Sequence, residues 1–225
     1  MKALFKSFLQ NPLRAKSLTR LMLRLNNFSY MVTGYLSQFS EPNGIHPKHR
    51  LMNYHQFFLD NIESNERVLD IGCGNGLIER DVASKVKEVT AIDTNEKNIK
   101  NALELCKDIE NGKINFIHGD ATNYDFKDSF DKIILSNVLE HIEERIGFLN
   151  KIKKLSPVLL IRVPMMNRDW LTLYKKELGM EYRLDSSHFI EYTLESFKDE
   201  LATANLLIDS YSIQFGEIWA RVKKG

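Results

Sequence analysis

Cysteine is scarce: only Cys73 and Cys106 occur in 225 residues. Two cysteines build neither a disulfide framework nor a cysteine-rich zinc site, so a reducing compartment, the cytoplasm, is the expected location. Long apolar runs are missing too, and no stretch approaches the roughly 20 residues that a membrane-spanning helix needs. Neither sign of charge dominates. Lys plus Arg number 31 against 30 Asp plus Glu, a formal charge of +1. That balance disfavours a dedicated nucleic-acid binder, which carries a strong basic excess. No Gly-Lys-Ser or Gly-Lys-Thr triplet occurs, which excludes a phosphate-cradling P-loop. What is present, 43% hydrophobic and 27% charged residues, is ordinary globular material, enough for one large domain and an appendage.

The charge is unevenly spread. Residues 1–40 hold Lys2, Lys6, Arg14, Lys16, Arg20 and Arg24 and no acid. Apolar residues recur there at helical spacing, first Leu4, Phe5, Phe8 and Leu9, then Leu18, Leu21, Met22 and Leu25. The pattern predicts two basic amphipathic helices broken near Asn11-Pro12. Such a segment packs on the main domain, pairs with a second copy in a homodimer, or lies on a membrane surface through residues 1–30. An Arg-rich, acid-poor targeting segment is a further reading; a secretory signal is not, because Arg20 and Arg24 interrupt the apolar stretch. Glu41-Pro42-Asn43-Gly44 and Pro47 mark a boundary. The chain therefore divides into an appendage, 1–45, and a main domain, 46–225, opening with a helix over His49–Ile62.

The main domain alternates between strand and helix patterns. Strands are predicted at Arg67–Ile71, Glu88–Ile92, Ile114–His118, Lys132–Leu135 and Val158–Val163. Helices are predicted at Leu77–Val86, Glu96–Ile109, Ile142–Leu155 and Leu194–Asn205. Two last strands, Leu207–Tyr211 and Ile218–Val222, flank a turn containing Gly216. This alternation means a parallel sheet covered on both faces, with its ligand beyond the carboxyl ends of the strands at the topological switch point.

The first strand runs into Gly72-Cys73-Gly74-Asn75-Gly76, directly ahead of a helix. Glycines there let the chain turn sharply and a ligand approach closely. A dinucleotide fold uses G-x-G-x-x-G instead. The preceding acid, Asp70, suits an ammonium-bearing or zwitterionic ligand better than a phosphate. The plain alternative is an ordinary strand–helix turn.

This segment resembles motif I of the class I S-adenosylmethionine-dependent methyltransferases, and further matches follow in chain order. Asp93, with Thr94 beside it, resembles the acid that holds the ribose hydroxyls. Asp120-Ala121 resembles the pair beside the adenine. Ser136-Asn137-Val138-Leu139-Glu140-His141-Ile142 resembles the stretch beside the transferable methyl. The resemblance covers roughly residues 50–225. It implies an α/β, Rossmann-like fold with a mostly parallel seven-stranded sheet and an antiparallel C-terminal strand, plus the N-terminal helices. It also implies S-adenosyl-L-methionine as cofactor, S-adenosyl-L-homocysteine as product, and donor contacts from Asp70, the Gly72–Gly76 loop, Asp93, Thr94, Asp120, Ala121, Asn137 and Val138. An NAD-dependent oxidoreductase is disfavoured by the glycine spacing; a non-catalytic donor-binding protein shares the same motifs.

Methyl transfer to oxygen calls for positioning and a base, and histidine suits that role at neutral pH. His188, in the loop Asp185-Ser186-Ser187-His188, and His141, after Glu140, are the candidates. His46, His49 and His55 precede the glycine loop, where related enzymes often cover the donor; His118 ends a strand and reads as structural. Glu140, His141 and His188 also resemble the metal set of the small-RNA 2′-O-methyl and ubiquinone-pathway families. Those families carry another Glu where this chain has Asn137, so no metal is expected.

A long insertion at 164–193, with a helix implied by Trp170, Leu171, Leu173 and Tyr174, reads as a cap. Arg162, Arg168, Lys175, Lys176 and Arg183 suit an anionic acceptor such as a nucleotide-linked sugar, or form a solvated face. The insertion and the segment 46–62 resemble methyltransferases of glycan assembly. The expected acceptor is a small molecule or glycan, methylated at oxygen, with no nucleic acid; a lipid-like or quinone acceptor at the membrane is the alternative.

Overall fold

The computed structural model describes residues 10–225. The first expected amphipathic helix, with Leu4 to Leu9, lies outside the described residues. The described chain forms two compact units, one ending at Asn53 and joined by Trp170–Tyr182, the other made of Tyr54–Asp169 and Arg183–Gly225.

In the first unit, helix α1 runs from Pro12 to Ser40. It starts where the sequence predicts a break. Asn11 caps it, its side-chain oxygen accepting from the amides of Leu13 at 3.0 Å and Arg14 at 3.3 Å, and Pro12 takes the first turn, where its missing N–H costs nothing. A short helix, α2 (Lys48–Met52), follows. The single helix expected over His49–Ile62 is in fact two, because Asn53 adopts a left-handed conformation with φ 48° and donates its N–H to the His49 carbonyl at 3.1 Å. Asn tolerates that conformation and so closes a helix. The boundary between the units falls here rather than at residue 45.

The second unit begins with α3 (Tyr54–Asp60), whose Tyr54 and Phe58 are buried. It continues β1 (Arg67–Ile71), α4 (Leu77–Val82), β2 (Glu88–Asp93), α5 (Glu96–Leu105), β3 (Ile114–His118), β4 (Lys132–Ser136), α6 (Arg145–Ile152) and β5 (Val158–Pro164). After α7 (Trp170–Glu177), which belongs to the first unit, come α8 (Leu194–Thr203), β6 (Leu206–Gln214) and β7 (Glu217–Lys224). Seven strands form one sheet in the order β3-β2-β1-β4-β5-β7-β6. β1 to β5 pair in parallel, and β7 is antiparallel to both β5 and β6. This is the expected Rossmann-like architecture. The order reverses between β1 and β4, which makes the crevice beyond their carboxyl ends the switch point.

Leu69, Ile133, Leu135 and Ile161 from β1, β4 and β5 are fully buried with Leu149 and Phe197 from α6 and α8. The helices are shorter than predicted. α4 stops at Val82, α5 at Leu105, and α6 starts at Arg145. The strands β6 and β7 are longer, because a two-residue turn, Phe215 (φ 53°) and Gly216 (φ 75°), joins them. Two left-handed residues give the twist that a tight hairpin needs. Only part of the 164–193 insertion departs from the sheet unit. Its end is stitched to the end of β5, where Tyr192 donates to the Pro164 carbonyl at 3.0 Å and Met166 to the Tyr192 carbonyl at 2.8 Å.

Candidate active site

A cavity of about 790 Å³ opens at the switch point. Its walls come from the ends of β1, β2, β3 and β4, and include Gly72, Asp93, Thr94, Asp120, Ala121, Asn137, Val138 and His141. The sequence reading names all eight. Asp70, Cys73, Gly74, Asn75, Gly76 and His188 are not among the lining residues.

The loop after β1 is held to β2, since the amides of Gly72 and Cys73 both donate to the Ile92 carbonyl, at 2.8 and 3.2 Å. Gly72 has φ +78°, and a Cβ there would stand 2.5 Å from Val138 Cγ2. Only glycine lets the end of β1 and the end of β4 approach this closely without strain. Asp93 Oδ2 accepts from the Gly74 amide at 2.9 Å, and Oδ1 from the Asn95 amide at 2.8 Å and Asn98 Nδ2 at 3.2 Å. The carboxylate thus ties the glycine loop to the start of α5 while facing the cavity. Asp120 accepts from the Thr122 hydroxyl at 2.7 Å and amide at 2.8 Å and from Asn123 Nδ2 at 3.2 Å. The Thr122 bond, above all, holds its carboxyl below the ordinary range. Lys151 closes the far wall, donating to the carbonyls of Ala121 at 3.0 Å and Thr122 at 2.8 Å.

Asp70 is placed elsewhere than the motif alone implies. It is buried against the buried carboxyl of Glu79 in α4. Burial, reinforced by Glu79, pushes the Asp70 carboxyl well up, and burial raises Glu79 as well. Two carboxyls in one dry place favour the protonated state. Glu79 went unnoticed in sequence because it sits in the first turn of a helix, where an acid is ordinary.

The turn after β4 and the Asp185–Glu191 loop carry further titratable groups, of which His141 lines the cavity. Asn137 takes a left-handed φ of 56° straight after β4, and Leu139–His141 then form one 3₁₀ turn. Glu140 is fully buried. Burial pushes its carboxyl up to about 8, against the pull of Arg162. The turn is fixed to the Asp185–Glu191 loop, where Phe189 donates to the Glu140 carbonyl at 2.8 Å. His141 and His188 meet edge-on, ring centres 4.6 Å apart.

Proton placement follows from the partners. Ser187 donates its hydroxyl to Asp185 Oδ1 at 2.7 Å. Its only proton is then used, so His141 Nδ1, 3.0 Å from Ser187 Oγ, is the donor in that pair. His188 Nδ1 lies 3.2 Å from Glu191 Oε1. Burial works against the Glu191 charge, but bonds from His188, the Leu184 amide and Arg168 outweigh it and keep the carboxyl below its ordinary range. A carboxylate only accepts, so His188 Nδ1 also donates. With Nδ1 as its donor, a neutral His141 presents an unprotonated Nε2. Burial, with His188 beside it, lowers the His141 pKa, so that ring stays neutral near pH 7.

Glu140, His141 and His188 each offer a ligand atom within 4.8 Å of the other two. Three acceptors facing one another need a shared proton or a cation between them, and a carboxylate with two imidazoles is a donor set for a divalent metal. His118, at the end of β3, bonds the Thr94 carbonyl at 3.1 Å. His55 pairs with Asp81 at 2.6 Å.

Comparison with known proteins agrees with this geometry. Residues 69–156 match the family described as "Methyltransferase domain". The ubiquinone biosynthesis O-methyltransferase of Rickettsia conorii is 36% identical over 112 residues, which is 49% of this chain and 38% of that relative. The chain thus spans well under half the length of the curated relative it matches. Among solved structures, magnesium protoporphyrin IX methyltransferase from Synechocystis PCC 6803, with bound S-adenosylhomocysteine, superposes with TM-score 0.63 at 16% identity, covering 79% of this chain and 83% of that one. The N-methyltransferase NodS from Bradyrhizobium japonicum, also with bound S-adenosylhomocysteine, gives TM-score 0.59 at 18% identity over 79% and 86% of the two chains. At such identities the likeness is one of fold.

Proposed function

We propose that this chain, which carries a class I S-adenosylmethionine-dependent methyltransferase domain, transfers a methyl group from S-adenosyl-L-methionine to an oxygen of a small acceptor and releases S-adenosyl-L-homocysteine. One observation carries the reading: the switch-point cavity is lined by Gly72, Asp93, Asp120, Asn137 and His141 together. The residues fit the donor. The cavity volume of about 790 Å³ is in the range of small-molecule sites, and the Asp93 carboxylate, on its lining, offers acceptor oxygens to a vicinal diol. Asp120, Ala121, Asn137 and Val138 would bound the rest.

When bound, the donor supplies an electrophilic methyl on a sulfonium. His141 Nε2, on the cavity lining, would take the proton of the acceptor hydroxyl whose oxygen receives the methyl. His188, outside the cavity lining, would position the His141 ring through their edge-on contact. The names of the relatives support a hydroxylated acceptor of the quinone-precursor kind over the glycan that segments 46–62 and 164–193 favour by resemblance.

A second reading rests on the converging Glu140, His141 and His188. These three would hold a divalent cation, which would lower the pKa of a bound acceptor hydroxyl. Release of S-adenosyl-L-homocysteine in the presence of a catechol acceptor, with and without a chelator, tests both. Donor-dependent release supports methyl transfer, and its loss on chelation with restoration by a divalent metal selects the second reading. Absence of release with catechol and sugar acceptors alike contradicts the proposed activity.

A further inference from the structure

In the first unit, α1 presents an apolar surface whose residues are not among those that line the switch-point cavity. α1 is 29 residues long, about 43 Å at the helical rise. Leu21, Leu25, Phe28, Tyr35, Leu36 and Phe39 recur along it at helical spacing, and each is between 47% and 72% exposed. At 100° per residue these six fall on one side of the helix. They lie apart from Ala15 and Leu23, which line a groove with Leu171 and Tyr174 of α7, while Leu18 of that groove borders the face. Isolated exposed apolar residues need no explanation, but a continuous row of this length marks a contact surface.

Charge decides what covers it. α1 carries Arg14, Lys16, Arg20 and Arg24 and no acid anywhere in its length. Beyond it, residues 41–53 add Lys48 and Arg50 against Glu41, and in 170–182 the two lysines are matched by Glu177 and Glu181. This unit is therefore strongly positive in a chain whose total is only +1. A helix that pairs with a copy of itself sets opposite charges beside its apolar seam, and α1 has no acid to offer. Aromatic and leucine side chains on one face with lysine and arginine nearby suit an interface of anionic headgroups over acyl chains. No helix among the described residues is long and apolar enough to cross a membrane, so contact would be lateral.

We propose that the exposed face of α1 docks this protein on an anionic lipid surface. The proposal does not rest on methyl transfer. Its test is co-sedimentation of the full chain with vesicles of phosphatidylcholine alone and of phosphatidylcholine mixed with phosphatidylglycerol. The protein is expected to sediment with the mixed vesicles and to be released by high salt. Phe28→Ser with Phe39→Ser is expected to lower partition about a hundredfold, and Lys16→Gln with Arg24→Gln about tenfold. All four positions are exposed, so circular dichroism and thermal midpoint should match the parent. The proposal is overturned if folded protein ignores the mixed vesicles, or if the Phe28/Phe39 variant binds as the parent does. It is equally overturned if the parent is a dimer, silent toward vesicles, that the same variant converts to monomer.

Discussion

Glu140 is closed off from solvent, and burial pushes its carboxyl up to about 8 from the ordinary 4.5 of a glutamate. The folded chain therefore holds a proton between those two values that the unfolded chain releases. Stability must fall as pH rises through that window. Glu140→Gln removes this term, so urea unfolding of the parent should lose up to a few kcal/mol more between pH 5 and 8 than unfolding of the variant. Equal pH dependence would mean that the carboxyl is ionised and paired. Asp93 gives a second test. Asp93→Ala removes the carboxylate that faces the cavity and tethers Gly74, and donor affinity should drop by roughly 1–3 kcal/mol in calorimetry. His141→Ala should spare donor affinity and lower turnover by about 10²–10⁴-fold, abolishing the acid limb of the pH–rate profile, which lies below pH 6.5 because the His141 pKa is lowered. At this scale the sequence was a good guide to the cavity wall, where residue type and strand position coincide. It was a poor guide to Asp70 and Glu79, because burial of a carboxyl against another carboxyl leaves no mark in either one's local context.

Each strand end does one job, and the job depends on local backbone. Gly72 and Asn137 both take left-handed conformations at the ends of β1 and β4, where the two elements must stay close to make the crevice. Gly72→Ala pushes a Cβ to within 2.5 Å of Val138 Cγ2 in a conformation that alanine resists. Thermal unfolding should report a loss of about 1–3 kcal/mol, and pairing it with Val138→Ala should recover only the steric part. The strands were legible because fully apolar runs such as Ile133-Ile134-Leu135 have few other uses. Helix ends were not: α4 and α5 stop short of the apolar periodicity, and Asn53 splits a helix whose hydrophobic pattern runs on. A single left-handed residue outweighs periodicity there, and asparagine in a helical stretch does not announce it.

For the molecule as a whole, the order β3-β2-β1-β4-β5-β7-β6 follows from alternation and handed crossovers, so the sheet could be expected from residues 67–222 alone. The grouping of Trp170–Tyr182 with the N-terminal segment could not. It arises from apolar side chains far apart in sequence, Leu18 and Met22 with Leu171 and Tyr174, and no local pattern encodes that pairing. The crevice between β1 and β4 is the proposed seat of an adenosyl amino acid. Titration of the purified chain with S-adenosyl-L-homocysteine and, separately, with NAD in a calorimeter tests it most directly. One S-adenosyl-L-homocysteine per chain, weakened by Asp93→Ala, is the predicted result; binding of NAD with no heat from S-adenosyl-L-homocysteine would contradict it.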